Sequence, residues 1–205
     1  MASEKIQALL FDLGGVLIEV DFRRVFAYWH SHSALSLAEL SARFAFDELY
    51  CQHERGETSG TEYFAYLRER LELRCDLAEI AAGWNAIFSD EIRETRALVE
   101  SVRGKLPCHL FSNTNATHRA VWSTRYAWLG WTFEKLFVSS EIGLRKPDRA
   151  AFEHIGEALA VPLESIMFFD DTLENITGAV QAGLTAVHVR STDDVRLALQ
   201  RIGCL

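Results

Sequence analysis

Five short apolar runs alternate with helical patterns, and this alternation constrains the fold more than any other feature of the sequence. The runs cover residues 7–11, 109–111, 136–138, 166–169 and 186–189. The segments between the later runs carry apolar residues three and four positions apart, as in 92–102, 150–160 and 175–182. Strands and helices in alternation are typical of a parallel sheet with helices on both faces. The sequence therefore predicts an α/β protein.

Residues 17–87, which follow the first run, show amphipathic helical patterns and almost no strand signal; we call them the helical insertion. Their apolar stripes are formed by Val20, Phe22, Val25, Phe26 and Trp29; by Leu37, Leu40 and Phe44; by Tyr63, Phe64, Leu67 and Leu71; and by Leu77, Ile80, Ala81 and Trp84. Ser36 with Glu39, and Ser59 with Glu62, have the spacing of a capping box at a helix start. A small helical bundle over the sheet is the interpretation we favour.

Composition excludes several classes of protein. No apolar run is long enough to span a bilayer, so no membrane partner is expected. The net charge of −8 and the lack of a basic run argue against a nucleic-acid partner. The four cysteines lack C-x-x-C spacing, which favours reduced thiols in a cytoplasmic protein and no zinc site. The oligomeric state is left open.

Polar residues that follow the predicted strands are the candidates for a functional site. Asp12 follows the first strand, Ser112 the second, and Asp170 with Asp171 the fourth, while Lys146 lies in the segment after the third. Because ligands bind beyond the carboxyl ends of parallel strands, these side chains are expected to meet at one edge. Each acid alone is explained as a turn former or helix cap. Two adjacent acids near a third, however, need a cation between them, and oxygen ligands suit Mg²⁺.

These motifs resemble those of the haloacid dehalogenase superfamily of phosphatases, in the same order along the chain. The matching segments are FDLGGVL at 11–17, FSNTN at 111–115, RKP at 145–147 and FFDD at 168–171. Within the superfamily the chain is most similar to the bacterial glucose-1-phosphate phosphatases, which share its glycine two residues after the nucleophile and a similar stretch at 52–57. The resemblance implies a Rossmann-like catalytic core of residues 1–16 and 88–205, and an inserted helical cap of residues 17–87.

The resemblance also implies a magnesium site. Asp12, the backbone carbonyl of Gly14 and Asp171 would hold Mg²⁺, with Asp170 contributing directly or through water. The metal would offset the repulsion between an anionic nucleophile and an anionic phosphate.

Roles in phosphoryl transfer follow from the same resemblance. Asp12 would attack phosphorus in line and form an aspartyl-phosphate. Ser112 and the backbone amide of Asn113 would bind a phosphoryl oxygen, and Lys146 would neutralise developing charge and pair with Asp12. The expected substrate is a small phosphorylated metabolite.

Gly14 departs from the superfamily pattern, because most of these phosphatases have a second Asp there as acid and base. Losing a positioned acid costs about 10²–10⁴-fold in rate. A sugar 1-phosphate such as glucose 1-phosphate has a more acidic leaving hydroxyl than an ordinary alcohol, so it needs protonation less. This reasoning favours such a substrate, with water, His53 or Glu54 replacing the missing acid.

Three other functions are weighed against hydrolysis of a phosphate ester. A dehalogenase would use Asp12 against carbon, but it needs no metal, and the two adjacent acids favour one. A catalytically impaired binding protein would explain Gly14, although it need not retain Asp12, Ser112, Lys146 and both acids. A sugar phosphomutase would need a phosphoenzyme that outlives attack by water.

Overall fold

A computed structural model describes residues 6–205 of the protein. Its strands are β1 (Ala8–Phe11), β2 (Ile18–Val20), β3 (Phe88–Glu91), β4 (Cys108–Ser112), β5 (Lys135–Val138), β6 (Ile166–Asp170) and β7 (Thr185–His188). Its α-helices are α1 (Phe22–His30), α2 (Leu37–Arg43), α3 (Glu48–Glu54), α4 (Gly60–Arg70), α5 (Leu77–Asn85), α6 (Arg93–Val102), α7 (Ala116–Arg125), α8 (Leu129–Thr132), α9 (Ser139–Ile142), α10 (Arg149–Leu159), α11 (Leu173–Ala182) and α12 (Thr192–Arg201). Across residues 6–205, no helix combines the length and apolar character that crossing a bilayer requires.

Five strands form one parallel sheet in the order β5-β4-β1-β6-β7. They correspond to the five apolar runs, so the predicted parallel α/β fold is confirmed. The first strand of the chain is central, with Leu10 opposite His109 on one side and Phe168 on the other. The carboxyl ends of β1, β4 and β6 are therefore neighbours.

The sheet is buried on both faces, which explains why its strands are apolar throughout. Leu9 and Phe11 of β1 pack in one apolar cluster, and Ala8 and Leu10 pack in another on the opposite face. Phe152 of α10 belongs to the second cluster. Helices therefore cover the sheet from two sides, as the alternation of elements predicts.

The helical insertion holds α1 to α5, and both predicted capping boxes are present, at Ser36 and Ser59. Trp29 of α1 and Trp84 of α5 stack with ring centroids 6.0 Å apart, and the indole of Trp29 donates to the carbonyl of Ile80 at 3.1 Å. These contacts fix α1 against α5. The assignment of residues 17–87 as a separate cap domain stays a prediction.

An antiparallel pair of short strands, β2 and β3, lies at the two ends of the insertion, and the sequence did not predict it. Val20 was placed on a helical stripe, but it lies in β2, and α1 begins two residues later, at Phe22, with Asp21 as its N-cap. Strands of three and four residues are too short to show a period, and only their pairing with each other defines them.

Candidate active site

The carboxyl ends of the strands bring the predicted site residues to one place. Asp12 follows β1, Ser112 ends β4 and Asp170 ends β6, while Lys146 comes from the loop between α9 and α10. Asp12, Ser112, Lys146 and Asp170 are all buried. Residues that are 158 positions apart in sequence therefore share one site, because their strands are neighbours in a parallel sheet.

The ammonium group of Lys146 lies between two carboxylates. Its Nζ is 2.7 Å from Oδ1 of Asp12, 2.7 Å from Oδ2 of Asp170 and 3.0 Å from the carbonyl oxygen of Phe111. Burial alone would lower the pKa of Lys146, but Asp12 and Asp170 outweigh it and raise the pKa above its ordinary value. Lys146 therefore keeps its charge although only 1% of its side chain is exposed.

The carboxylate of Asp12 keeps one oxygen that Lys146 does not bind. Lys146 donates to Oδ1, which leaves Oδ2 for another partner. Burial raises the pKa of Asp12 to about 7. The positive charge of Lys146 lowers this pKa, whereas the negative charge of Asp170 raises it further. A second cation beside this carboxylate favours its ionised form.

Asp170 is held in one orientation by its neighbours. Besides Lys146, it accepts hydrogen bonds from the backbone N–H of Thr172 at 2.8 Å and from Nδ2 of Asn175 at 3.1 Å to each oxygen. Asn175 was not predicted as a site residue. The signal that could have identified it is an amide side chain four residues after Asp171, in the first turn of the helix that follows the two acids.

Asp171 completes a set of acids suited to a divalent cation. Carboxylate oxygens of Asp12, Asp170 and Asp171 lie within 4.8 Å of one another. Burial, and then the charge of Asp170, raise the pKa of Asp171. Such an oxygen-only donor set fits Mg²⁺, which prefers hard carboxylate ligands and open positions for water or phosphate.

The two glycines after Asp12 differ in what a side chain would meet. Gly15 has φ +71°, and a Cβ there would lie 2.1 Å from Oδ2 of Asp171. A Cβ at Gly14 would lie 3.2 Å from Cγ2 of Val20. Gly15 is therefore required by the approach of Asp171, whereas Gly14 borders the cavity and the side chain of Val20.

Ser112 and Asn113 occupy the opposite side of the site from the acids. Ser112 is buried and lines the cavity. The side chain of Asn113 binds the backbone of Lys146 twice, at 2.9 Å to its carbonyl oxygen and 2.9 Å from its N–H. The amide side chain of Asn113 therefore positions Lys146, which leaves its backbone for the phosphate contact predicted above.

The helical insertion contributes Glu54, and Arg145 of the core binds it. Arg145 donates to Oε2 of Glu54 from Nε at 3.0 Å and from Nη2 at 2.9 Å. Burial raises the pKa of Glu54, and Arg145 opposes this. Nearby, Gly56 has φ +74°, and a Cβ there would clash with the carbonyl oxygen of Ser140. The end of α3 and the core are therefore in close contact.

Of the two substitutes suggested for the missing acid, the structure places Glu54 on the cavity wall and His53 behind it. His53 is buried, with Nδ1 3.0 Å from the carbonyl oxygen of Thr58 and its ring stacked on Tyr63. It is absent from the cavity lining formed by the described residues. The contact with Tyr63 explains the orientation of His53.

A cavity of 660 Å³ opens above Asp12. Its floor carries Asp12, Ser112, Lys146, Asp171 and Asn175. The apolar lining residues contributed by the insertion and by β3 are Val20, Phe22, Phe46, Ile87 and Phe88, which we call the apolar wall. The cavity therefore combines a charged floor with an apolar wall.

Comparison with known proteins decides the family. Residues 6–183 match the family described as haloacid dehalogenase-like hydrolase. The chain belongs to the haloacid dehalogenase-like hydrolase family. Sesquiterpene phosphatase astK of Aspergillus oryzae is 26% identical over an alignment of 207 positions, which covers 97% of this chain and 97% of that protein. Drimenol cyclase drtB of Aspergillus calidoustus is 26% identical over 206 residues, which cover 96% of this chain but 36% of that longer protein.

A solved structure shares both the fold and the metal chemistry of this haloacid dehalogenase-like chain. The HAD family enzyme bt-2542 of Bacteroides thetaiotaomicron, in complex with magnesium and inorganic phosphate, superposes with a TM-score of 0.78. It is 27% identical, and the match covers 88% of this chain and 92% of that one. The chain is thus a haloacid dehalogenase-like phosphatase with Mg²⁺ as its cofactor, as the sequence predicted. Similarity to the glucose-1-phosphate phosphatases in particular stays a prediction.

Proposed function

We propose that this phosphatase hydrolyses a small phosphate ester through an aspartyl-phosphate on Asp12. The observation that carries the proposal is the position of Lys146, whose ammonium bridges Asp12 and Asp170 at 2.7 Å from each. The bridge holds one Asp12 oxygen in place and leaves Oδ2 free to act as the nucleophile. It lies at the floor of the cavity, where a phosphate group has room to enter.

Each charged residue has a defined part in this reaction. Asp12, Asp171 and the carbonyl of Gly14 would hold Mg²⁺, which supplies positive charge that draws phosphate to a carboxylate. Asp170, fixed by Asn175 and Thr172, keeps Lys146 oriented toward Asp12.

The transfer itself then has two steps. Oδ2 of Asp12 attacks phosphorus, the bond from phosphorus to the ester oxygen breaks, and the electron pair leaves with that oxygen, which takes a proton from solvent. Water next attacks phosphorus, the bond from phosphorus to Oδ2 of Asp12 breaks, and inorganic phosphate leaves as the Asp12 carboxylate is restored. Ser112 and the Asn113 backbone amide bind the phosphoryl oxygens, and Lys146 neutralises the charge that develops on them.

The first step depends on a good leaving group, because Gly14 supplies no acid. Glu54 faces the cavity, but Arg145 holds its carboxylate. Esters with an acidic leaving alcohol or phenol are therefore the preferred substrates. Glucose 1-phosphate, expected from the sequence on this ground, stays a prediction, as does the cytoplasmic location expected from the cysteines.

Hydrolysis of p-nitrophenyl phosphate tests the proposal. We expect phosphate release that requires Mg²⁺ and is lost, by at least about 10³-fold, in Asp12→Asn, because the amide is a poor nucleophile. Asp193→Asn removes an acid whose side chain is 79% exposed on α12 and serves as the matched control. Full activity of Asp12→Asn would disprove the nucleophilic role. Release of phosphate into water, measured against transfer to an added sugar, separates hydrolysis from mutase activity.

A further inference from the structure

We propose that the apolar wall binds the organic part of the substrate, so that among phosphate esters whose leaving alcohols or phenols are equally acidic the site selects apolar ones over sugar phosphates. The inference rests on the proposed function, because the phosphate group must occupy the floor for its substituent to reach the wall. It names the substrate class and the residues that select it.

The apolar surface begins directly beside the nucleophile. A Cβ built at Gly14 would meet Cγ2 of Val20 at 3.2 Å, so Val20 covers the position where related enzymes carry an acid. Val20 is 40% exposed and lines the cavity. A group attached to a phosphate at Asp12 therefore meets a hydrocarbon side chain first.

Phe46 extends this surface toward the mouth of the cavity. Its side chain is 65% exposed, yet its ring is packed edge-on against Phe22 at 5.2 Å, Phe44 at 5.4 Å and Tyr50 at 5.0 Å between centroids. A single exposed apolar residue is ordinary, but an exposed ring that is held by three others and faces a cavity forms a preorganised apolar surface. Because the Phe46 ring is already fixed, little side-chain entropy is lost when a ligand binds against it.

Several polar side chains that line the cavity are already held by protein partners. Glu54 binds Arg145, and Asn175 binds Asp170. The neutral ring of His118 donates from Nε2 to the carbonyl of Trp84 at 3.1 Å and accepts at Nδ1 from Asn115 at 3.3 Å. A sugar ring buried against these groups would replace only some of the hydrogen bonds that it loses to water, which disfavours it. An apolar group has no such loss.

Binding of alkylphosphonates tests this inference without relying on turnover, because their carbon–phosphorus bond is not hydrolysed. Methyl-, butyl- and octylphosphonate are titrated into the Mg²⁺-loaded protein by calorimetry. We expect Kd to fall by about two- to fourfold for each methylene that contacts the wall. The heat-capacity change should also become more negative as the chain lengthens, which marks apolar burial. Glucose 1-phosphate, titrated into Asp12→Asn, is expected to bind more weakly than octylphosphonate does.

Two variants locate the effect on the apolar wall. Phe46→Ser is expected to lower the ratio of octyl- to methylphosphonate affinity by about tenfold, because it removes a large part of the exposed ring surface. Trp131→Ser removes a ring that is 60% exposed outside the cavity, and it should leave the ratio unchanged.

The outcomes separate this inference from the proposed function. Equal Kd values for the three phosphonates, tighter binding of glucose 1-phosphate, or an unchanged ratio in Phe46→Ser would each overturn the inference. Failure to hydrolyse p-nitrophenyl phosphate would overturn the proposed function instead, and it would not alter the dependence of phosphonate binding on chain length.

Discussion

Lys146 and Asp12 form a buried ion pair, with Nζ 2.7 Å from Oδ1, and the same ammonium reaches Asp170 at an equal distance. One positive charge therefore faces two negative ones in a site where burial disfavours ionisation. The excess of negative charge, with Asp171 beside it, makes this place suited to a second cation.

Replacing Lys146 is expected to damage both activity and stability. Lys146→Met leaves Asp12 and Asp170 buried without their partner, which should cost about 3–5 kcal/mol in the free energy of unfolding. Turnover of p-nitrophenyl phosphate should fall by at least about 10²-fold. Urea denaturation and steady-state kinetics measure the two effects. Added Mg²⁺ should stabilise this variant more than the wild type, because it replaces the missing positive charge.

The control for this prediction is Lys135→Met, at an exposed position on β5. It should change stability by less than about 0.5 kcal/mol and leave turnover intact. A wild-type level of activity in Lys146→Met would contradict the role given to the ammonium.

Restoring an acid at Gly14 is expected to widen the range of usable leaving groups. Phenol is a poorer leaving group than p-nitrophenol, so Gly14→Asp should raise the rate of phenyl phosphate hydrolysis by a larger factor than that of p-nitrophenyl phosphate. The upper limit of this factor is about 10²–10⁴-fold. The new Cβ requires Val20 to move by a few tenths of an ångström, which its exposed position allows. Gly14→Ala controls for the added Cβ. Equal effects of Asp and Ala on both substrates would show that Gly14 does not limit catalysis.

The ion pair between Glu54 and Arg145 is expected to couple the helical insertion to the core. Only 6% of the Glu54 side chain and 21% of the Arg145 side chain are exposed. A double-mutant cycle with Glu54→Gln and Arg145→Met should give a coupling energy of about 1–3 kcal/mol in thermal or urea unfolding. The pair of Arg149 and Glu153, with side chains 63% and 47% exposed, should give at most about 0.5 kcal/mol. Equal couplings would mean that burial adds nothing to the first pair.

Acid is expected to destabilise the fold through His118. Burial lowers its pKa to about 3 from an ordinary 6.5, so below pH 6.5 the unfolded chain takes up a proton that the folded chain does not. The contribution of neutral His118 to the free energy of unfolding is complete at pH values above the pKa of the unfolded chain. It is lost as the pH falls toward the pKa of the folded chain. Between pH 7 and pH 5 the wild type should lose about 2 kcal/mol relative to His118→Gln. Urea unfolding at the two pH values measures this difference.

The comparison for His118 is His30→Gln, at an exposed position at the end of α1. A pH dependence for His118→Gln no larger than that for His30→Gln would contradict the neutral, buried state of the His118 ring.

The apolar runs were enough to predict the sheet and the edge at which its polar residues meet. Parallel strands buried on both faces carry a continuous apolar signal, and the residue after each strand must lie at the carboxyl edge. Asp12, Ser112, Asp170 and Asp171 were therefore found without knowledge of any contact. Lys146 was expected at the same edge because its segment follows the third predicted strand, and the structure places it in the loop between α9 and α10.

Other features depend on which distant segments meet, and only the tertiary structure decided them. Asn175 became a site residue because α11 turns its amide toward Asp170, and Phe46 because the helices of the insertion place its ring beside Val20 and Phe22 in one cavity. The short strands β2 and β3 exist through their mutual pairing. The local sequence shows the apolar period of each helix or strand, because the residues of that element determine it. It does not show which side chains of different elements meet, because those contacts arise from packing. The sequence alone thus determined the sheet and the charged floor, while packing determined the apolar wall.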